Sequence, residues 1–569
     1  MQYRLVNENF KKNYGKSLLQ VRGVQNIDLF LKPNESCLQS GWELDNTALG
    51  VNFFLQALEN SKSILIIVDS DIDGFTSAAI IYLYAKEHFP EANIQYRLHS
   101  GKQHGLEDHI DKIIDEEWDL IICPDSSSND KEYHDKLRCP VLVLDHHEVD
   151  CATSNNAIII NNQSSKSYKN KELTGAGVVY QFCRCVDELA GFDSANNYID
   201  LAALGICGDM GSMIELENRY ICYKGFNNIQ NPFFKAILDK QSYSTGGKVN
   251  PMTVAFYIVP LVNAMIRVGT MEEKIRLFEA FIDGNKEVPS GKRGAKGTFE
   301  LAAIESVREC VNARSHQNKI LDKNVEKFED KIAKYDLLNN KILFIRLEED
   351  DELPSELNGL LAMKLAAKYK RPTIVARLND EGYDRGSIRN VNNCALTDLK
   401  AFLMNSGYFE YVQGHANAAG CSIKDKDLEA FHSYANEELS TIDFGEGVYD
   451  VNFVRAAADP DLEDLIFDLA EYEDVWGQNN PEALIYIHDL NITKNDIQIL
   501  GRNKDTIKIV KFGIAYMKFF AKDMIKELED FNEIKINLVG KPNLNEWMGN
   551  YTPQIFIENY ELEDGTLGF

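Results

Sequence analysis

The sequence predicts an α/β protein with a buried parallel sheet, a helical connector, a second α/β unit and a small C-terminal β-barrel. Three observations lead to this prediction. Short apolar runs alternate with helical stretches over residues 61–220, a long polar helix is expected near 299–335, and the last ~90 residues alternate in period two. A chain of 569 residues is long enough for several such parts to have cores of their own.

The first two segments are an adaptor and a sheet domain. Residues 1–60 end in LGVNFFLQALEN, whose apolar residues recur at helical spacing. Residues 61–220 contain short apolar runs that each end in polar or acidic residues, namely SILIIVD (63–69), DLIICPD (119–125), PVLVLDHH (140–147) and NAIIINN (156–162). Continuous apolar strands alternating with helices are typical of a parallel sheet buried on both faces. Functional groups in such sheets gather at the carboxyl ends of the strands.

The remaining segments are helical, α/β and β in turn. Residues 221–340 are expected to be helical and to end in the connector helix. Residues 341–440 form a second α/β unit, with KILFIRL and RPTIVARL as strands and ELNGLLAMKLAAKYK as the helix between them. Residues 441–569 hold a helical stretch followed by five or six short strands, which predicts a small β-barrel of the OB type.

The charge of the chain leaves the class of its partner open. A formal net charge of −28 disfavours nucleic acid, because phosphate binding normally shows as a basic surface. Catalytic metal sites are built from carboxylates, however, and residues 491–527 carry eight basic and four acidic residues. The aromatic residues Phe512, Tyr516, Phe519 and Phe520 lie among these cations, as in single-strand-binding surfaces. We expect at least two of the four to lie in the barrel core instead.

The sequence disfavours both a membrane protein and a protein stabilised by disulfide bonds. It contains no obvious apolar run of about 18 residues, and its N-terminus has no apolar stretch behind the positive charges. The eleven cysteines are scattered without a CxxC pair, so we expect them to be reduced and buried. The sequence therefore predicts a soluble, cytoplasmic protein without a membrane partner.

The first predicted strand ends in a dense acidic cluster, Asp69-Ser-Asp71-Ile-Asp73-Gly74. Carboxylates this close repel one another unless a cation neutralises them, and their hard oxygens suit Mg²⁺ or Mn²⁺. A solvated acidic turn is the alternative. A calcium loop is excluded, because it needs a glutamate six residues after the glycine, where Ile80 stands.

Further acidic and histidine residues follow other apolar runs. Asp125 follows the second strand, and Asp145-His146-His147 the third. Asp209 follows the apolar run LAALGICG, which places it at another predicted strand end. A single aspartate or histidine in such a position is more often structural. Several such clusters in one α/β unit instead predict a mixed oxygen and nitrogen site for two divalent ions about 4 Å apart.

These motifs resemble a known family. DSDIDG, Asp125, the DHH triplet and GDM match the motifs of the DHH phosphoesterases in order and spacing. The resemblance to the RecJ-like single-stranded-DNA-specific exonucleases covers nearly the whole chain. It continues through PLVNAMIR (260–267), RGSIRN (385–390), GHANAAG (414–420) and NEWMGNYTPQIFIENYEL (545–562). Departures from the pattern at Ile266, Asn390 and Gln413 concern the strand-binding groove rather than the metal site.

The resemblance implies a role for each matched residue. The implied ligands of two divalent ions, Mn²⁺ or Mg²⁺, are Asp69, Asp71, Asp73, Asp125, His146 and Asp209. Asp145 is expected to orient the histidines, and His147 to contact the scissile phosphate. The implied substrate contacts are Arg267, Ser387, Arg389, Gly414, His415 and Gly420.

The function implied by the resemblance is a 5′-to-3′ exonuclease that degrades single-stranded DNA and releases mononucleotides. A single-strand-binding protein or a helicase is the expected protein partner. Two alternatives stay open at this point. One is a phosphodiesterase of oligoribonucleotides or cyclic dinucleotides. The other is a non-catalytic scaffold that resembles RecJ, which the full set of motif carboxylates disfavours.

Overall fold

The chain folds into two compact units in this computed structural model. The structure describes residues 1–6, 12–60, 62–101, 103–295, 297–348, 351–529, 531 and 533–564. One unit, here the sheet unit, comprises Asn26–Lys319 and Asp474–Asn480. The other, here the tail unit, comprises Met1–Gln25, Ile320–Glu473 and Pro481–Phe569. The five segments expected from the sequence divide the chain more finely and stay a prediction.

The helices of the described residues are distributed over the whole chain. In chain order they are α1 (Tyr14–Val21), α2 (Ile27–Leu31), α3 (Thr47–Glu59), α4 (Ile72–His88), α5 (Ile110–Ile113), α6 (Lys131–His134), α7 (Gly175–Ala190), α8 (Ile199–Gly208), α9 (Leu216–Asn227), α10 (Pro232–Thr245), α11 (Pro251–Thr253), α12 (Val259–Val268), α13 (Met271–Asp283), α14 (Ala302–Lys334), α15 (Asn358–Tyr369), α16 (Leu399–Asn405), α17 (Leu428–Glu438), α18 (Leu462–Ala470) and α19 (Lys522–Glu527).

The strands concentrate in three sheets. In chain order they are β1 (Gln2–Leu5), β2 (Ile64–Val68), β3 (Ile94–Leu98), β4 (Leu120–Pro124), β5 (Val141–Asp145), β6 (Ala157–Asn161), β7 (Glu287–Pro289), β8 (Phe299–Leu301), β9 (Leu343–Leu347), β10 (Thr373–Leu378), β11 (Tyr383–Arg389), β12 (Phe409–His415), β13 (Ala418–Lys424), β14 (Val448–Val451), β15 (Phe453–Ala456), β16 (Ile485–Thr493), β17 (Ile497–Leu500), β18 (Thr506–Lys511), β19 (Ile514–Lys518), β20 (Glu533–Trp547) and β21 (Asn550–Asp564).

The sheet unit is built on a five-stranded parallel sheet in the order β3-β2-β4-β5-β6. Alternate residues of β2 enter different apolar clusters: Ile64 and Ile66 pack with the helices α4 and α7, whereas Leu65 and Ile67 pack with α5. The predicted parallel sheet buried on both faces is therefore confirmed. Strand β3 was not predicted, because its sequence IQYRL alternates and lacks a continuous apolar run.

The segment before Asp209 is a helix, and its prediction as a strand is wrong. Residues Ile199–Gly208 form α8, and all but Gly208 are buried. A helix buried on every side shows no 3.6-residue periodicity, so its apolar run looks like a buried strand in the sequence. Asp209 is the residue that follows the last turn of this helix.

Helices α9 to α13 and most of α14 complete the sheet unit, and the predicted connector is helix α14, residues 302–334. One stretch of this unit, Pro251–Val268, is long and apolar enough to cross a membrane, so the expectation from the sequence that none exists is wrong. Half of this stretch is buried in the protein. Core helices of soluble proteins can be equally long and apolar, so length and composition alone give weak support for a membrane span.

The tail unit contains two sheets that bear on function. One has the order β12-β13-β11-β10-β9, with β9 and β10 parallel and the other pairs antiparallel. The other is a seven-stranded mixed sheet in the order β15-β16-β20-β21-β19-β18-β17. Of the four aromatics among the cations of this sheet, only Tyr516 is in the core. Phe512, Phe519 and Phe520 are exposed, which corrects the expectation that at least two are buried.

Candidate metal centre

The acidic cluster at Asp69 is assembled by the junction between strand β2 and helix α4. Asp69 follows the last strand residue, and its side chain is buried. Asp71 caps the helix: its Oδ1 accepts a hydrogen bond of 3.0 Å from the backbone N–H of Gly74. Asp73 lies in the first helical turn and is also buried. A short strand-to-helix turn thus brings three carboxylates to one end of the sheet.

Asp73 is held by the N-terminus of helix α7. Its carboxylate accepts hydrogen bonds from the backbone N–H groups of Gly175 at 2.7 Å and Ala176 at 3.0 Å, and from Thr174 Oγ1 at 3.1 Å. The positive end of a helix stabilises a negative charge in this position. Burial and the charge of Asp71 outweigh these bonds and raise the pKa of Asp73 to about 7.

His146 joins the carboxylates of three separate elements. Its Nε2 lies 3.2 Å from Asp125 Oδ1, 3.4 Å from Asp209 Oδ2 and 3.9 Å from Asp73 Oδ2. Asp125 follows strand β4, His146 follows β5, and Asp209 follows helix α8. Residues distant in the sequence are therefore within the reach of one ion, and Asp209 reaches the site from the end of a helix.

Three polar atoms in the cluster are buried without a hydrogen-bond partner among the described residues. They are Asp69 Oδ1, Asp125 Oδ1 and His146 Nε2. Asp69, Asp71 and Asp125 each offer an oxygen within 4.8 Å of the others. Buried polar groups are nearly always satisfied, so unsatisfied atoms in one cluster suit a bound cation. The oxygen and nitrogen donors present here fit Mn²⁺ or Mg²⁺.

The ionisation of the cluster supports the same conclusion. Burial, together with the charge of Asp73, raises the pKa of Asp125 well above its usual range and that of Asp209 to about 8. Burial also raises the pKa of Asp69. Burial and the charge of His147 lower the pKa of His146 to about 4, so its ring is neutral and can bind a metal. Without a cation, these carboxylates resist full ionisation at neutral pH.

Asp145 and His147 form a separate pair beside the cluster. Asp145 Oδ1 is 2.8 Å from His147 Nδ1 and accepts hydrogen bonds from the backbone N–H groups of His146 and His147. Burial alone would raise the pKa of Asp145, but the hydrogen bond and charge of His147 hold it below its usual range. Burial likewise opposes the charge of His147, yet Asp145 raises the pKa of His147 to about 10. His147 is therefore a cation whose side chain is 52% exposed.

The backbone around the site is tightly constrained. A Cβ atom added at Gly175 would lie 2.3 Å from Asp125 Oδ1, and one at Gly205 would lie 2.3 Å from Asp73 Oδ1. Both positions therefore require glycine for the close approach of a carboxylate. Asp125 and Ser127 have positive φ angles of 67° and 77°, a strained conformation that is concentrated at functional sites.

The six residues expected to contact the substrate lie in different parts of the chain. Arg267 belongs to the sheet unit, near the end of helix α12. Burial lowers the pKa of its guanidinium, and the charge of Asp71 opposes this effect.

The other five expected contacts lie on the sheet of β9 to β13 in the tail unit. Ser387 pairs with Gly420, and Arg389 with Ala418, which in turn pairs with His415. Paired residues point to the same face of a sheet, so these residues share one face. Gly414, with a φ of 129°, is beside them on β12. A Cβ atom added at Gly420 would make only ordinary van der Waals contacts with the described residues. These residues therefore do not require a glycine at this position.

Sequence reasoning missed two residues that shape these sites. A Cβ at Gly359 would lie 2.4 Å from a terminal nitrogen of Arg389, so this glycine makes room for the guanidinium. His104 Nδ1 lies 2.6 Å from Asp69 Oδ2. The histidines at 99, 104 and 109, which follow strand β3, are the feature of the sequence that could have indicated His104. Strand β3 itself was also missed.

Two family models match the chain. Residues 63–206 match the model described as the DHH family, N-terminal domain. Residues 459–559 match the model described as the RecJ OB domain. The first covers every expected metal ligand except Asp209, and the second covers most of the seven-stranded sheet.

Relatives and solved structures match over larger spans. The chain is 37% identical over 575 residues to YorK of Bacillus subtilis (strain 168), named as an SPbeta prophage-derived single-strand DNA-specific exonuclease, and the match covers 99% of this chain and 98% of YorK. It is 23% identical to the single-stranded-DNA-specific exonuclease RecJ of the same strain, covering 97% of this chain and 68% of RecJ. The crystal structure of RecJ in complex with Mn²⁺ from Thermus thermophilus matches with a TM-score of 0.73 at 18% identity, covering 98% of this chain and 79% of that one.

Proposed function

The chain belongs to the RecJ-like family of single-strand DNA-specific exonucleases within the DHH family, and from this premise we propose that it hydrolyses the phosphodiester bonds of single-stranded DNA in a metal-dependent reaction. The 37% identity over nearly the whole of both chains supports the transfer of the activity from YorK. We extend the proposal to a 5′-to-3′ direction and to mononucleotide products. The support for that extension is the resemblance described above.

One observation carries the proposal: the cluster of buried carboxylates around His146, with unsatisfied atoms at Asp69 and Asp125. A scaffold protein has no use for such a cluster, because burying charges that repel one another destabilises the fold. Full ionisation of the cluster at neutral pH is favourable only when cations neutralise it. This argues against the non-catalytic alternative.

The proposed metal ligands are Asp69, Asp71, Asp73, Asp125, His146 and Asp209. The proposed cofactors are two divalent ions, Mn²⁺ or Mg²⁺. Two such ions, when bound, supply an activated water and charge stabilisation at the phosphoryl group. The chain's own part is to hold the donors in place. The N-terminus of helix α7 holds Asp73 by hydrogen bonds. Gly175 and Gly205 let the carboxylates of Asp125 and Asp73, respectively, pack closely against the backbone.

His147 is proposed to bind the scissile phosphate. Asp145 orients its ring through Nδ1, which leaves Nε2 to donate a hydrogen bond to an anionic oxygen. The cationic state that Asp145 maintains favours contact with a phosphate that gains charge during hydrolysis. Asp145 acts through His147 and is therefore a positioning residue.

Substrate capture is proposed for two groups of residues. In the sheet unit, Arg267 supplies a buried cation whose pKa is influenced by the charge of Asp71. In the tail unit, Ser387, Arg389, His415 and Gly420 share one face of the sheet of β11 to β13, and Gly414 precedes His415 on β12. These five residues are proposed to supply donors and close backbone approach for phosphates. The exposed aromatics of the seven-stranded sheet are proposed to stack with bases.

The proposed setting is the cytoplasm, with a single-strand-binding protein or a helicase as the partner that supplies single strands. We also propose that residues 61–220 act as the catalytic domain and 341–440 as the substrate-binding domain.

Direction and sugar preference are tested with end-labelled single strands. Time courses compare 5′-labelled and 3′-labelled DNA, and matched RNA, in Mn²⁺. Immediate release of labelled mononucleotide from 5′-labelled DNA is expected. Release first from the 3′-labelled strand would overturn the direction, and faster degradation of RNA would favour the oligoribonucleotide alternative. An Asp209→Asn variant serves as the control for contaminating nucleases.

A further inference from the structure

A second group of titratable side chains lies beside Asp69, in and after the loop that follows strand β3. His99, Asp108 and His109 offer ligand atoms within 4.8 Å of one another. His99 is 2% exposed and His109 is 6% exposed. The proposed set of metal ligands contains none of the three.

Asp108 sets the orientation of the His99 ring. Its Oδ1 lies 2.7 Å from His99 Nδ1. Because a carboxylate only accepts hydrogen bonds, Nδ1 is the donor in this contact, and Nε2 is the ring nitrogen left to bind a cation. This Nε2 lies on the side of Asp69, 4.0 Å from Asp69 Oδ1.

The facing atoms of His99 and Asp69 are unsatisfied. Both are buried, and neither has a hydrogen-bond partner in the part of the chain that the structure describes. A separation of 4.0 Å is too long for a hydrogen bond between these two atoms. Two ligands that each bind one ion at about 2.1 Å can be up to about 4.2 Å apart. One cation therefore satisfies both atoms.

The second oxygen of Asp69 has a different partner. Asp69 Oδ2 is 2.6 Å from His104 Nδ1, so this contact fixes the carboxylate and keeps Oδ1 on the side of His99. His109 is the third ring of the group, 4.5 Å from the His99 ring between centroids. Its Nε2 lies 3.8 Å from Asp108 Oδ1, and among the described residues it forms no ion pair with Asp69, so His109 supplies a matched control.

We propose that His99 is a nitrogen ligand of the divalent cation held by Asp69, and that Asp108 positions its ring. A carboxylate that orients a metal-bound histidine through the other ring nitrogen is a common arrangement in metalloproteins. The inference rests on the metal dependence of the proposed function. It adds a nitrogen donor to the one supplied by His146, and nitrogen donors favour Mn²⁺ over Mg²⁺.

The test measures Mn²⁺ binding to the full chain in the absence of DNA. Titration calorimetry gives affinity and stoichiometry, and pulsed EPR detects nitrogen nuclei coupled to bound Mn²⁺. In His146→Ala protein, a histidine nitrogen coupling is expected to remain and to disappear when His99→Phe is added. His99→Phe alone is expected to weaken binding by about tenfold or more, and Asp108→Asn by a smaller factor, as for partners of metal-bound histidines.

His109→Phe is the control and is expected to leave affinity and stoichiometry unchanged. The proposal is overturned if His99→Phe binds Mn²⁺ as tightly as the wild type with the coupling intact. It is also overturned if His99→Phe and His109→Phe both lose one additional ion, which would reveal an independent site. Thermal unfolding of the metal-free variants checks the fold, and His99→Gln replaces His99→Phe if the phenylalanine is not tolerated. Mn²⁺ binding is measured without DNA, so its result does not depend on whether the protein cleaves DNA. Failure of the His99 proposal can therefore be distinguished from failure of the proposed exonuclease function.

Discussion

At the scale of single residues, the centre of the site is a set of carboxylates that cannot all ionise together. Asp73 and Asp209 accept protons near neutral pH, and the pKa of Asp125 is raised well above its usual range, chiefly because the three side chains are buried. Asp145 behaves in the opposite way, because His147 compensates for its burial. The same residue type thus serves as a candidate metal ligand in one place and as an orienting anion in the other.

The stability of the metal-free protein should therefore depend on pH. The native state keeps protons on Asp73 and Asp209 up to about pH 7 and pH 8, whereas the unfolded chain releases them near pH 4. Because Asp73 and Asp209 hold more protons in the native state over this interval, their contribution to the free energy of unfolding falls as pH rises from about 4 to about 8. The lowered pKa of His146, a single group, has the opposite effect below about pH 6.5. Thermal unfolding in EDTA measures this decline. Bound Mn²⁺ should make the melting temperature depend less on pH. In the metal-free protein, Asp209→Asn should also make this dependence weaker. A melting temperature that rises over this interval would contradict the assignment.

Removal of one carboxyl group should separate stability from activity. Asp125→Asn keeps the shape of the side chain but removes a carboxyl group beside His146 that resists ionisation, because burial and the charge of Asp73 raise its pKa well above its usual range. We expect a higher melting temperature without metal and a loss of cleavage of about a thousandfold or more, because ion positioning and charge neutralisation fail together. The exposed Asp111→Asn on helix α5 is the control and should change neither. Cleavage within about tenfold of the wild type would show that Asp125 is not a metal ligand.

At the scale of elements, prediction succeeded where a buried strand ends directly in a functional residue. Strands β2, β4 and β5 are continuous apolar runs, and Asp69, Asp125 and His146 stand at or just beyond their ends. The helix before Asp209 was taken for a strand because it is buried on all sides.

Prediction failed where the local sequence carries no such pattern. Strand β3 is a partly exposed edge strand, so it was missed, and His99 and His104 in the loop after it were missed with it. The space that Gly175 and Gly205 leave for carboxylates depends on tertiary contacts, which the sequence does not reveal.

The exposed aromatics of the seven-stranded sheet give a prediction at the scale of this element. Phe520 is 89% exposed and stands between Lys518 and Lys522, which suits base stacking beside the backbone. Phe520→Ala should weaken binding of long single strands by about tenfold, which corresponds to about 1.4 kcal/mol. Cleavage of very short strands should change less. Tyr243→Ala, which removes an exposed aromatic of the sheet unit, is the control for fluorescence anisotropy. Equal affinity of both variants would exclude stacking at Phe520.

At the scale of the whole molecule, the proposed metal ligands all lie in one compact unit, and five of the six expected substrate contacts lie in the other. The proposed metal ligands belong to the sheet unit, whereas Ser387, Arg389 and His415 belong to the tail unit. The net charge of −28 includes the carboxylates of the metal site, so it does not argue against a nucleic-acid substrate. The local excess of cations in residues 491–527 belongs to the tail unit as well.

This separation predicts that capture can be impaired while metal binding is retained. Arg389→Ala removes a guanidinium from the sheet face that carries His415. Strand affinity and cleavage should fall together by about 10- to 100-fold, in the range of a lost charged contact to phosphate. Mn²⁺ stoichiometry, measured by calorimetry, should be unchanged. The exposed Arg385→Ala on the same strand is the matched control. Loss of a bound ion in Arg389→Ala would refute the assignment.

The central claim is that the chain is a metal-dependent exonuclease of single-stranded DNA. The most direct measurement follows mononucleotide release from linear single-stranded DNA and from blunt duplex of the same sequence, in Mn²⁺ and in excess EDTA. We expect rapid release from the single strand in Mn²⁺, little from the duplex, and none in EDTA. Release that continues undiminished in EDTA, or a duplex degraded as fast as the single strand, would contradict this account.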